Sequence, residues 1–277
     1  MLTSFLIALR EGLEAALIIG IILSVLRQIG REHQARTVWG GVGAAVVVSA
    51  GAGLLLRQLG LAFEGRGEAI FEGVAMLAAA GVLTWMIFWM QRQAPNIRHE
   101  IERDVRSAVG ANGAWGLFSL AFVAVVREGI ETALFLTAAL YSTSPLLTLA
   151  GGALGLGAAV VLGWLIFAAG RQLNLRQFFQ VSGLLLLVVA AGLVGHGIHE
   201  LQEAALLPVL VEHVWDLNPV LDENSTPGLF LKALFGYNGN PSLLETLAYA
   251  AYFVVIGWAA WQNRQRLEKR ALAANSA

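Results

Sequence analysis

The sequence predicts an all-α polytopic membrane protein of seven transmembrane helices, and three observations predict it. Of 277 residues, 57% are hydrophobic and only 13% are charged, where soluble domains carry about 25% charge. Mean hydropathy is +0.67. The apolar residues fall into repeated runs of about 20 residues, the length that crosses a hydrocarbon core. Runs this long and this numerous exclude a soluble helical protein with buried helices.

The elements follow in order. Span one is Leu2–Leu26, and "RQIGREHQAR" ends it. It lacks the basic leader of a cleavable signal and holds charges within its apolar run, so it is expected to stay in the mature chain. Span two is Val38–Leu56 and span three Ala69–Met90. The connector "QRQAPNIRHEIERDVRSAVGANGA" then offers material for a short surface helix. Spans four, five and six are Trp115–Tyr141, Leu146–Ala169 and Phe178–Leu201, with "RQLNLRQ" between five and six. The longest connector, Leu206 to Ser242, mixes Pro, Asn, Gly and acidic residues and is expected to be partly ordered. Span seven is Leu243–Trp261.

Basic residues orient the spans. The connector after span one holds Arg27, Arg31 and Arg36. The one after span three holds Arg92, Arg98, Arg103 and Arg106. Arg171 and Arg176 follow span five, and Arg264, Arg266, Lys269 and Arg270 follow span seven. The alternate connectors hold only Arg57, Arg66 and Lys232. Positive charge stays inside, so the N-terminus is expected outside and the C-terminus inside. Spans one to three and four to six then form a 3+3 inverted-topology pair with span seven added. Transport sites commonly lie at the midplane between such halves.

Two charged clusters interrupt this apolar pattern. Arg10, Glu11 and Glu14 sit in "REGLEAAL" of span one, and Arg127, Glu128 and Glu131 in "REGIETAL" of span four. Beyond this motif the two halves show weak similarity. Arg127 lies 12 residues from Trp115 and 14 from Tyr141, out of snorkelling range. The four glutamates lie about 14–20 Å from the outer ends of their spans at 1.5 Å per residue. Antiparallel spans therefore bring them to one level. Positions i, i+1 and i+4 share one helix face, and Gly12 and Gly129 leave room for close approach. Four carboxylates and two guanidiniums sum to −2, which a divalent cation neutralises. An ionised group at mid-bilayer costs at least about 2.5–3.5 kcal/mol, and buried ion pairs are weak stabilisers against apolar packing. The cluster therefore reads as a functional site with oxygen ligands for a hard or borderline metal.

At this point the chain resembles the oxidase-dependent iron permeases, both bacterial EfeU-type ferrous iron permeases and fungal high-affinity iron permeases. The resemblance rests on "REGLE", "REGIE", "LTWMIFWMQR" and "LFGYNGNPSLLE". It implies seven spans, iron import, and iron handled by Glu11, Glu14, Glu128 and Glu131, with Arg10 and Arg127 as supporting charge. It also implies the bacterial inner membrane and periplasmic iron-binding and peroxidase or oxidase partners. Iron is then the transported substrate, with no permanently bound cofactor. Nucleic acid is not expected as a partner, and a homo-oligomer is compatible with the sequence. Residues 1–91 make repeat one, 92–114 a cytoplasmic connector and 115–205 repeat two. Residues 206–242 make a periplasmic loop, and 243–277 the seventh helix and cytoplasmic tail of a single membrane domain.

Bacterial relatives often carry histidine-glutamate near the end of span six, where this chain has Gln202 and Glu203. His196 and His199 stand one turn away. With Glu72 at the outer end of span three, His196, His199 and Glu203 form a candidate accessory set. Trp85, Phe88, Trp89, Trp258 and Trp261 read as interfacial belts. The chain has no cysteine, so disulfides and thiolate metal sites are excluded. It also has no nucleotide-binding motif. Two transport alternatives stand beside ferrous import. One is a proton-coupled transporter of another divalent cation, and the other is an Fe³⁺ permease coupled to a partner oxidase. An embedded di-iron oxidase would want E-x-x-H pairs, and the motifs here read E-x-x-E, so the chain is not expected to be an enzyme.

Overall fold

In hydrocarbon a backbone must satisfy its own hydrogen bonds, so long apolar runs fold as helices. The computed structural model describes residues 1–93, 97–111, 113–142, 144–168, 175–223 and 225–275. Their helices are α1 (Leu2–Gln28), α2 (Ala35–Leu61), α3 (Arg66–Gln93), α4 (Ile97–Ala111), α5 (Gly113–Ser142), α6 (Pro145–Ala168), α7 (Leu175–Glu203), α8 (Thr226–Phe235) and α9 (Leu243–Asn275). Residues 169–174, which include Arg171 and the predicted end of span five, lie outside the described residues.

Among the described residues, five stretches are long and apolar enough to cross a membrane: Glu32–Leu61, Arg66–Met90, Pro145–Ile166, Phe179–Glu203 and Leu243–Gln262. The chain is an integral membrane protein. Helices α1 and α5 match these in length, at 27 and 30 residues, but each is interrupted by one arginine and two glutamates.

Helix packing repeats between the halves. Helix α1 packs chiefly on α6, α2 on α5 and α3 on α7, and α1 also meets α5. Exchanging α1, α2 and α3 for α5, α6 and α7 leaves that pattern unchanged. Small residues allow the approach where no hydrophobic drive acts between helices. A Cβ built on Gly12 would lie 2.7 Å from Ala159 Cβ on α6, and one on Gly129 would collide with Ser49 on α2. The halves are also more alike than the charged motif alone suggests. "GVGAAVV" at 41–47 of α2 matches "GLGAAVV" at 155–161 of α6. Gly41 lies against the backbone of α5, and Gly155 against that of α1.

The interior is layered. One apolar cluster holds Ile7 of α1, Met76, Ala79, Leu83 and Met86 of α3, Phe135 and Ala138 of α5, and Leu186, Ala190 and Leu193 of α7. A second holds Ile22, Val25 and Leu26 of α1, Val38 of α2, Val105 of α4, and Leu117 and Ala121 of α5. The expected surface helix is α4, and its apolar stripe of Ile101, Val105, Ala108 and Val109 closes this second cluster. Between the two layers α1 contributes Arg10 to Glu14, and α5 contributes Arg127 to Glu131. The charged layer thus has apolar packing on both sides.

The segment predicted as a loop over 206–242 contains α8. Ser225 caps it by accepting from Gly228 N–H at 3.1 Å, and Pro227 fits its first turn. Gly236 ends it in the left-handed region at φ 65°, where glycine carries no Cβ penalty. Helix α8 packs on α7, α1 and α5, and Gly236 touches the backbone of Gly192. Gly192 is 11 residues before Glu203, the end of α7, or about 16 Å along its axis. The chain then returns to Ser242, whose hydroxyl donates to Gln202 Oε1 at 2.7 Å. Helix α8 and the "GYNGNPS" segment therefore fold back along α7. A Cβ on Gly192 would lie 2.6 Å from Gly236 Cα, whereas one on Gly81 meets nothing within 4 Å. Gly192→Ala should lower the thermal melting temperature by the overpacking cost of about 1–3 kcal/mol. Gly81→Ala should leave it unchanged or raise it. Melting of the detergent-purified protein checks both.

Candidate metal-transport site

The two charged motifs meet in space. One ligand oxygen each from Glu11, Glu128 and Glu131 lies within 4.8 Å of the other two. All three side chains are buried, with residue exposures of 1%, 6% and 9%. Their Oε2 atoms have no hydrogen-bond partner. A buried carboxylate oxygen without a donor is costly to leave unpaired. Three buried carboxylates that converge in this way are the donor set that a hard or borderline cation takes.

The remaining carboxylate oxygens face the arginines. Arg10 Nη1 donates to Glu11 Oε1 at 2.9 Å, and Arg10 Nη2 pairs with Glu14 Oε1 at 3.1 Å. On α5, Arg127 Nε donates to Glu131 Oε1 at 3.1 Å and stands 3.9 Å from Glu128 Oε1. The environments of the two arginines differ. The Arg10 side chain is 2% exposed and the Arg127 side chain 38%. Helix α3 supports both. Arg10 reaches Met86 Sδ at 3.3 Å and Met90 Sδ at 2.9 Å, and the Arg127 guanidinium lies 4.4 Å from the Trp89 ring centroid. Trp89 was expected in an interfacial belt and instead faces the site, because position 89 shares a face of α3 with 86 and 90. Trp85, Trp258 and Trp261 are exposed, as a belt requires.

The four expected glutamates are thus not equivalent. Glu14 stays with Arg10 and outside the group of three. The accessory residues lie elsewhere. Glu72 and Glu203 line a cavity of about 600 Å³ with Gly65, Arg66, Glu68 and Glu200, between the start of α3 and the end of α7. His196 Nδ1 sits 3.0 Å from the Gly192 carbonyl of its own helix. His199 Nδ1 sits 3.0 Å from Glu245 Oε1, and Asn238 donates to Glu245 Oε2 at 2.8 Å. Gln202 accepts from Ser242 and donates to the Pro208 carbonyl at 3.0 Å. These contacts fasten α9 to α7 through the "YNGNPSLLE" segment. Met86 and Met90 were not singled out from the sequence, although their four-residue spacing on a span facing the motifs is a readable signal.

With this geometry established, similarity to known proteins identifies the chain. A family model described as the iron permease FTR1 family matches residues 1–262. The chain belongs to this family. The permease is 37% identical over 256 residues to the ferrous iron permease EfeU of Escherichia coli O6:K15:H31, covering 92% of this chain and 93% of that one. It is 35% identical over 256 residues to the ferrous iron permease EfeU of Yersinia pestis, covering 92% and 91%. No solved structure matches. The permease is a transporter rather than an enzyme, and iron is its transported substrate.

Proposed function

We propose that the permease imports iron, supplied as Fe²⁺, across the bacterial inner membrane through the three-glutamate centre. The observation that carries this reading is the set of three buried carboxylates, from two helices of opposite halves, that converge within 4.8 Å and each leave one oxygen without a protein donor. The relatives named for ferrous iron support the oxidation state. Charge counting agrees, since the layer's −2 balances a divalent ion.

In this reading the chain has seven spans, α1, α2, α3, α5, α6, α7 and α9, with the N-terminus outside. The basic connectors support that orientation, and the half-exchange symmetry of the packing supports an inverted repeat. The cavity with Glu68, Glu72, Glu200 and Glu203 then faces the outside and concentrates cations ahead of the apolar layer. Iron passes from it to Glu11, Glu128 and Glu131. Arg10 and Arg127 stay charged and hold the layer at −2, which the arriving cation neutralises. Glu14 draws Arg10 toward the inner side. Rearrangement of the halves around this centre releases the ion inward. Periplasmic iron-binding and oxidase-type proteins act as its suppliers.

Labelled-iron uptake into proteoliposomes holding the purified chain tests the reading. Uptake is expected under anaerobic, reducing conditions, with Mn²⁺ and Zn²⁺ competing weakly. Uptake only of Fe³⁺, or of Mn²⁺ in preference to iron, would replace ferrous import by one of the alternative transport readings.

A further inference from the structure

We infer that Met86 and Met90 are positioning residues, a thioether shelf on α3 that keeps the Arg10 guanidinium off the iron-binding oxygen of Glu11. The inference rests on the three-glutamate reading of the site. It starts from a count of donors. The two Nη atoms of Arg10 carry four hydrogens. Nη1 reaches Glu11 Oε1 and Met86 Sδ, and Nη2 reaches Met90 Sδ and Glu14 Oε1. One hydrogen bond goes to a carboxylate and two go to sulfur, and the Glu14 contact is an ion pair.

This division has a chemical effect. An arginine beside a carboxylate favours a two-pronged fork that occupies both oxygens. Here only Oε1 of Glu11 is taken, and Oε2 stays without a donor on a side chain that converges with Glu128 and Glu131. A thioether is a weak acceptor, so it holds the guanidinium without competing strongly for its charge. Met86 and Arg10 are both 1% exposed, so water does not supply replacement acceptors. With the sulfurs gone, the freed N–H groups have carboxylate as the strongest acceptor in reach, and Glu11 Oε2 is on the same side chain. Arg10 would then occupy the oxygen that iron requires. Leucine at 86 and 90 keeps the volume and removes the acceptor. Glutamine keeps a side-chain oxygen on a stem of similar length.

The test compares wild type, Met86→Leu/Met90→Leu and Met86→Gln/Met90→Gln in anaerobic Fe²⁺ uptake by proteoliposomes, with melting temperature as the folding control. The leucine pair is expected to raise KM by about tenfold, the worth of one misdirected charged hydrogen bond, and to leave the maximal rate within about twofold. The glutamine pair is expected to return KM most of the way to wild type. A leucine pair with wild-type KM overturns the inference. So does a leucine pair whose maximal rate falls while KM holds, or a glutamine pair no better than leucine, which assigns the sulfurs to packing or to iron itself. Wild type that imports no iron overturns the transport reading, and this inference with it, before any variant is compared.

Discussion

Glu11→Gln and Glu131→Gln each reduce iron uptake by about a hundredfold or more, because losing a charged ligand from a buried centre costs several kcal/mol and each 1.4 kcal/mol is a factor of ten. Either change removes one of the three converging ligand oxygens as a charge and leaves a neutral amide in a buried layer. The amide also places N–H donors where the cation sits. Glu128→Gln behaves the same way. Glu14→Gln loses far less, because Glu14 lies outside the group of three and serves Arg10. Initial rates of labelled-iron uptake at matched protein density check the ranking. Equal losses at Glu14 and Glu131 would return all four glutamates to equal standing.

The second large effect is on stability. Arg10→Leu strands Glu11 and Glu14 as uncompensated buried carboxylates. Breaking a buried pair from one side costs about 3–5 kcal/mol, so the melting temperature of the purified protein should fall sharply. Arg127→Leu should fall less, because protein packs its side chain less closely than that of Arg10, 38% exposed against 2%. Arg10→Leu combined with Glu14→Leu should recover part of the loss, since removing both partners leaves less buried charge unpaired. A double variant less stable than Arg10→Leu alone would show that Glu14 stabilises the fold by some other contact.

These effects trace back to features with very different visibility in the sequence. The paired R-E-G-x-E clusters were legible because charge inside a run of apolar residues has few explanations, and the i, i+1, i+4 spacing fixes a shared face. The all-helical architecture and the approximate positions of the long helices were legible because bilayers admit few backbone solutions. The difference in surroundings among the glutamates was not. Glu11 and Glu14 occupy equivalent-looking positions, and only the opposing helix and the α3 sulfurs distinguish the carboxylate that meets Glu128 and Glu131 from the one that stays with Arg10. Nor was the role of "LTWMIFWM" legible, since aromatic and methionine residues at a span end satisfy an interfacial reading equally well. Helix α8 was signalled by "STPG" at its start and "FG" at its end. Its depth depends on Gly192, a glycine with nothing in its local sequence to distinguish it from Gly195. The repeat "GVGAAVV" and "GLGAAVV" was readable throughout, and becomes meaningful once Gly41 and Gly155 are seen against the opposite motif helices.

The central claim is that iron occupies the centre made by Glu11, Glu128 and Glu131. Equilibrium dialysis of labelled Fe²⁺ with the purified chain under anaerobic conditions tests it most directly, comparing wild type, Glu131→Gln and the outer-cavity pair Glu72→Gln/Glu203→Gln. The account predicts iron bound by wild type and by the outer pair, and lost in Glu131→Gln. Binding that survives Glu131→Gln and disappears with the outer pair would contradict it and move the iron site to the cavity between α3 and α7.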